Sequence, residues 1–400
     1  MIRPADAASI GVYVHFPWCL RKCPYCDFAS FEREAEAIDH LGYERALLAE
    51  LSHRREALAG RTLTSIFVGG GTPSLWEPRS LGRVVRAIVD ASDASDEVEI
   101  TVECNPSSLT AAHADALASE GVNRLSIGVQ SLDPDRLGFL GRLHDPGTAL
   151  RAVEAALASP IPRVSADLMY GVAGDQDRPQ PPEEAAADAD RLASLGVEHL
   201  SAYGLTIEPN TRFGELDRQK RLPKVEDDVM ARSFEAVGEA LAARGLERYE
   251  VSNYGKPGAE SRHNLGYWRG DDYLGLGCAA FGTLSRPTEE APGAGLRYRN
   301  APNPERYLER ASAGDFAPHE QEALSGETRL RERIMLGLRL REGLDLEAAA
   351  SALGVEPWPE ARRRAAERLV ERGRLAIDGE RLRVPEDAWL FADGTAVELF

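Results

Sequence analysis

At 400 residues, 43% of them hydrophobic, the chain can bury a large core and is long enough for two or three domains. Its formal charge of −18 argues against broad binding to a phosphate backbone. No run of about 18 apolar residues occurs and the start lacks a basic stretch followed by an apolar one, so neither a spanning helix nor a secretory signal is expected and the chain is assigned to the cytoplasm.

Through the first half, short β-branched runs alternate with longer amphipathic ones. Strands are expected at 11–16, 64–69, 98–103, 124–129, 163–170 and 199–205, with helices at 36–58, 78–92, 110–120, 134–158 and 182–195. Six βα units in a row predict an α/β fold with a parallel sheet, and six rather than eight predict an open partial barrel of the TIM type over residues 8–215. Each expected strand ends in residues that packing alone does not require: a cysteine loop, then GGGTP, ECNP, GVQS, DLMYG and YGLTIEPNT. In parallel α/β folds such strand ends converge on one mouth, where ligands bind.

Past residue 215 the alternation fades. Residues 216–315 read as an extension with a helix at 226–244, a strand at 248–254, a Gly-rich loop region at 256–282 and an exposed linker at 286–304. Residues 316–400 read as helices followed by a small hairpin around Asp378-Gly379, a winged-helix-like domain whose acidic context favours packing or a partner over DNA.

Three of the five cysteines, Cys19, Cys23 and Cys26, lie in a C-x3-C-x2-C spacing, while Cys104 and Cys278 stand apart as small buried residues. An odd count so crowded is not a secreted disulfide framework, and a metal site in a reducing compartment fits better. Zinc would need a fourth ligand, for which His15 is the local candidate. A [4Fe–4S] cluster held by three thiolates would instead leave one iron open to an outside ligand.

This loop at the end of a first barrel strand resembles the radical S-adenosylmethionine superfamily. The resemblance implies a [4Fe–4S] cluster on Cys19, Cys23 and Cys26 whose fourth iron is chelated by the methionine moiety of S-adenosylmethionine. VYVHFPWC is similar to the entry motif of the coproporphyrinogen oxidase-like branch, which makes Tyr13 a cofactor contact. By the same resemblance Phe28, Gly70, Gly71, Thr72, Glu103, Gln130, Arg142 and Asp167 face the cofactor. The glycines would let the backbone approach a ligand and bind its polar end through N–H groups, and Glu103 would accept hydrogen bonds from an amine or ribose.

Within that branch the chain resembles the haem chaperones more than the oxygen-independent coproporphyrinogen III oxidases. The oxidases carry a further cysteine two residues after the third, where this chain has Phe28, and a longer segment before the loop than the 18 residues here. HNLGYW is similar to the H-N-x-x-Y-W motif of the chaperone branch and marks His263, Asn264, Tyr267 and Trp268 as haem contacts, an imidazole for iron and rings for the porphyrin face. The resemblance implies haem as cargo, acceptor haemoproteins of respiratory type as partners, peripheral contact with a membrane through such a partner, and a homodimer. Coproporphyrinogen oxidation is the alternative, and whether S-adenosylmethionine is cleaved is left open by residues that would bind it in either case.

Overall fold

The computed structural model describes residues 9–174 and 178–400. Residue 8, where the expected core begins, lies outside them. Six parallel strands form the first half: β1 (Ser9–Phe16), β2 (Thr62–Gly70), β3 (Asp93–Cys104), β4 (Arg124–Gln130), β5 (Arg163–Tyr170) and β6 (His199–Gly204), side by side in chain order. Their β-branched runs suit a sheet covered on one face by helices and filled on the other by its own concave side. Helices such as His40–Arg54, Ala111–Ser119 and Pro146–Ala158 start on side-chain caps from Asp39, Thr110 and Asp145, each accepting a first-turn N–H. Residues such as Ile10, Leu63, Ile66 and Leu125 are wholly buried in the core, and each contributes about 1.5–3 kcal/mol over an exposed position.

The sheet does not stop at six strands. β7 (Glu247–Glu250) and β8 (Asn253–Gly255) extend it beyond β6, and β9 (Tyr273–Leu276), β10 (Phe281–Ser285), β11 (Gly295–Arg299) and β12 (Glu320–Leu324) extend it beyond β1. Only β9 among these is parallel to its barrel neighbour, and the twelve strands leave the barrel open between β12 and β7.

Three local expectations change. The run 134–158 is two helices, Pro134–Phe139 and Pro146–Ala158, and the break, where Gly141 takes φ +69°, puts Arg142 in a loop at the mouth. The supposed loop at 256–282 holds the helix Arg262–Arg269, capped by Ser261 at one end and left-handed Gly270 at the other, as well as β9. The supposed linker at 286–304 contains β11, where buried Tyr298 donates to the Gly275 carbonyl and accepts from its N–H.

Residues 326–400 carry a second core around Leu330, Ile334, Leu353, Leu369 and Trp389. Three helices, Gly326–Gly337, Leu346–Leu353 and Glu360–Glu371, stand beside a three-stranded sheet built from Leu344–Asp345, Ala376–Asp378 and Arg381–Arg383, a winged-helix-like arrangement that starts later than the expected residue 316, because Glu320–Leu324 pairs into the barrel sheet. Arg248 joins the two cores, its guanidinium 4.9 Å from the ring centroid of Tyr254 in the first and 5.3 Å from that of Trp389 in the second.

Candidate active site at the barrel mouth

A cavity of about 660 Å³ opens at the C-terminal ends of the strands and runs down into the barrel. Cys19, Cys23 and Cys26 line it, and all five cysteines are free. The loop that carries them is braced by Lys22, whose Nζ donates to the carbonyls of Phe28 (3.0 Å) and Ser30 (3.3 Å) while Glu32 accepts its backbone N–H. Each sulfur has a polar neighbour: Thr72 Oγ1 donates to Cys19 at 3.4 Å, an Arg142 nitrogen donates to Cys23 at 3.6 Å, and Ser30 Oγ lies 3.7 Å from Cys26. Burial pushes the Cys19 thiol up to about 11, so loading a metal centre there must displace protons.

His15 is unsuited to complete a zinc site. Its Nε2 meets the Ala29 carbonyl and its Nδ1 the Tyr13 hydroxyl, both at 2.9 Å, leaving neither nitrogen for a metal. Three thiols around an open cavity, without a fourth protein ligand from this histidine, fit a cluster with one iron left for a ligand.

Next to the thiols, β2 ends in a glycine turn. Gly70 takes φ +110°, and a Cβ there would lie 2.4 Å from the His15 ring; a Cβ on Gly71 would lie 2.6 Å from the Trp18 carbonyl oxygen. The N–H groups of this turn are all used within the chain: Gly70 donates to Glu103 (3.1 Å), Gly71 to the Phe16 carbonyl (2.7 Å) and Thr72 to that of Trp18 (2.8 Å). The expected capture of a ligand through these N–H groups is therefore corrected. The glycines are needed so that the turn can press against the cysteine strand, and the turn faces the cavity with its donors spent.

Glu103, which accepts the Gly70 N–H, also lines the cavity. Burial and the nearby Asp167 carboxylate push its pKa up to about 7, against the pull of the Gly70 N–H. Asp167 is itself raised by burial and is held by the Ser126 hydroxyl at 3.0 Å. Gln130 stands at the end of β4 with φ +67°, a left-handed conformation uncommon outside glycine, and Arg142 donates to the Gly128 carbonyl (2.8 Å) as well as reaching Cys23. Tyr13, Phe28, Gly70, Gly71, Thr72, Glu103, Gln130, Arg142 and Asp167 all line the one cavity.

The four residues marked for haem divide. His263, Asn264 and Tyr267 line the lower part of the same cavity, but Trp268 does not; it packs beneath the guanidinium of Arg339, 4.8 Å from the ring centroid, where the barrel meets residues 326–400. His263 is 3% exposed, stacked on Phe67 at 5.0 Å, with Nδ1 bonded to Ser65 Oγ at 2.8 Å and Nε2 unpartnered. Burial drives its pKa down to about 3, so the ring is neutral. Glu99 fixes the helix that carries it, accepting the N–H groups of Arg262 and His263, both at 3.1 Å.

Sequence reasoning did not find the polar lining of the barrel interior. Thr101, Arg124, Ser126, Ser165, His199 and Ser201 point into the cavity, with His199 bridging Ser165 (2.7 Å) and the Tyr249 hydroxyl (2.8 Å). The signal was available as hydrophilic residues at alternate positions of strands whose other face is apolar.

Residues 13–180 match the family model of the radical SAM superfamily, and residues 324–391 that of the HemN C-terminal domain. Heme chaperone HemW of Haemophilus influenzae is 39% identical over 304 residues, covering 75% of this chain and 76% of that protein. The protein of the same name from Mycobacterium tuberculosis strain H37Rv is 33% identical over 393 residues, covering 98% and 95%. Among solved structures, coproporphyrinogen III oxidase (HemN) from Escherichia coli, a radical SAM enzyme, superposes with a TM-score of 0.79 over 98% of this chain and 90% of that one, at 19% identity, which shows a common fold. The superfamily implies a [4Fe–4S] cluster and S-adenosylmethionine, and the cavity's three thiols and its buried carboxylate suit both. With that match and these relatives, the chain belongs to the radical SAM superfamily and, within it, to the heme chaperone HemW family.

Proposed function

We propose that this protein binds haem and passes it to acceptor haemoproteins, using the radical SAM barrel as a scaffold whose loaded state governs transfer. Cys19, Cys23 and Cys26 hold the cluster, and Tyr13, Phe28, Gly70, Gly71, Thr72, Glu103, Gln130, Arg142 and Asp167 form the cofactor pocket. The observation that carries the reading is Phe28: at the position where the oxidases have a further cysteine, this chain places an aromatic ring at the cavity mouth that is 58% exposed. A ring there serves an apolar ligand and cannot serve as a thiol. A haem contact at His263, Asn264 and Tyr267 suits the neutral imidazole and its unpartnered Nε2, but it would need the lower cavity free of S-adenosylmethionine, and Trp268 packs under Arg339 outside that cavity.

Respiratory haemoproteins are the proposed acceptors, with a homodimer and peripheral membrane contact through the acceptor as the proposed setting. No helix among the described residues is long and apolar enough to cross a membrane. The test is transfer of haem from the reconstituted protein to an apo-haemoprotein, followed by its absorption band. Cys23→Ala, which removes a cluster thiol, should abolish transfer that the parent supports; equal transfer by both would reject cluster-dependent chaperoning.

A further inference from the structure

Among the large side chains that are exposed in the described residues, four line one opening and the cleft beside it. Leu20, Phe28, Leu143 and Tyr203 are 40%, 58%, 49% and 38% exposed. Phe28 and Tyr203 line the main cavity, while Leu20 and Leu143 line a small cleft beside it that shares Arg21 and Cys23 with the cavity. Leu20 and Phe28 lie on the cysteine loop, Tyr203 near the end of β6, and Leu143 in the break between the helices Pro134–Phe139 and Pro146–Ala158 that brings Arg142 to the mouth. Arg21 stands among them, exposed, and its guanidinium has no hydrogen-bond or ion-pair partner among the described residues.

Resting on the haem reading above, we propose that haem sits across this rim when the barrel is loaded, its face on Phe28 and Leu143 and a propionate on Arg21. Haem is a flat apolar disc with two carboxylates at one edge. It therefore asks for exposed apolar side chains and a free cation side by side, and the rim offers both. The other candidate, His263, lies at the base of the cavity beneath the cofactor pocket, 3% exposed, and S-adenosylmethionine in that pocket would shut it off from the mouth. Haem lying over the loaded pocket would also feel whether the cluster and cofactor are present, which ties binding to their occupancy. Phe28, Leu143, Leu20 and Arg21, the side chains assigned to the haem face and propionate, supply no iron ligand, which leaves an axial position for the ligand that an acceptor supplies.

The experiment is a haem titration of protein carrying the cluster and S-adenosylmethionine, followed by absorption, on the parent and on Leu143→Asp, Arg21→Glu, Leu20→Asp and His263→Ala, with iron and sulfide content measured for each. The proposal expects full cluster content in the rim variants, haem affinity lowered by about tenfold or more, equivalent to about 1.4 kcal/mol, and parental affinity and spectrum for His263→Ala. Added imidazole should shift the haem band of the parent without releasing haem. Parental affinity in all three rim variants with loss in His263→Ala would overturn the rim site while leaving the haem reading intact. Parental affinity in the rim variants with loss of transfer or of dimers would make the rim a protein contact and overturn it too. Failure of the parent itself to retain haem would remove the underlying reading.

Discussion

Inside the barrel the imidazole of His263 and the hydroxyl of Ser65 meet at 2.8 Å, which ties the helix Arg262–Arg269 to the second strand across almost two hundred residues of sequence. Glu99 grips the same helix from the third strand. The segment that reads as a haem motif is thus also part of the barrel's interior structure.

Ser65→Ala should therefore destabilise the protein by about 1–3 kcal/mol, the cost of leaving a buried polar group without its partner. Urea unfolding of parent and variant measures it, and equal midpoints would contradict the bond. The burial that holds His263 near pKa 3 also means that its ring resonances should not titrate between pH 8 and 5. By linkage, the unfolded state gains the proton first as pH falls below 6.5, so this histidine's contribution to stability is lost progressively from there down to about 3.

Burial shifts Glu103 in the opposite direction from His263. Its carboxyl is raised to about 7, and the ionised form is the better acceptor for the N–H groups of the S-adenosylmethionine amine or for a ribose hydroxyl. Affinity for the cofactor should rise about tenfold from pH 6 to pH 8 as the carboxylate forms. Glu103→Gln should bind weakly and with a flat profile; a slope unchanged by the substitution would assign the titration to another group.

The glycine turn predicts a steric effect that is independent of any ligand. Gly71→Ala would drive a Cβ to 2.6 Å from the Trp18 carbonyl oxygen and 2.9 Å from that of Phe16, both on the segment that carries Cys19. Iron content after reconstitution should fall severalfold, together with loss of about 1–3 kcal/mol of stability from the displaced backbone. Full iron loading with parental stability would show that the turn tolerates a side chain.

Arg339 couples the barrel to residues 326–400. It covers Trp268 and pairs with the fully buried Glu250 at 3.7 Å and with Asp393 at 3.1 Å. Arg339→Ala would leave Glu250 buried beside only Ser252 and Asn253, at a cost of about 2–4 kcal/mol. Limited proteolysis should then cut between the two cores faster than in the parent, and an unchanged digestion pattern would show that the contact carries little.

The barrel was legible because its six strands are local runs of β-branched residues, each ending in an unusual loop, and because the cysteine spacing names its chemistry within eight residues. What was misread depends on distant partners. The strand at Gly295–Arg299 is surrounded in sequence by Pro and Gly and exists through pairing with Glu320–Leu324. The helix at Arg262–Arg269 had readable ends in Ser261 and Gly270, but eight residues beside a Gly-rich stretch give little periodicity, and Glu99, which secures its first turn, is more than 150 residues away. The N–H groups of Gly70, Gly71 and Thr72 looked free in sequence because nothing local shows that Glu103 and the carbonyls of Phe16 and Trp18 take them.

Haem carriage, rather than turnover of a porphyrin precursor, is the central claim. The most direct measurement takes protein reconstituted anaerobically with its cluster, supplies S-adenosylmethionine and a reductant, and follows in parallel the consumption of coproporphyrinogen III and a haem absorption band that survives gel filtration. A retained haem band with no consumption is the predicted result; consumption at catalytic rates would contradict it and make Phe28 an accepted departure from the oxidase pattern.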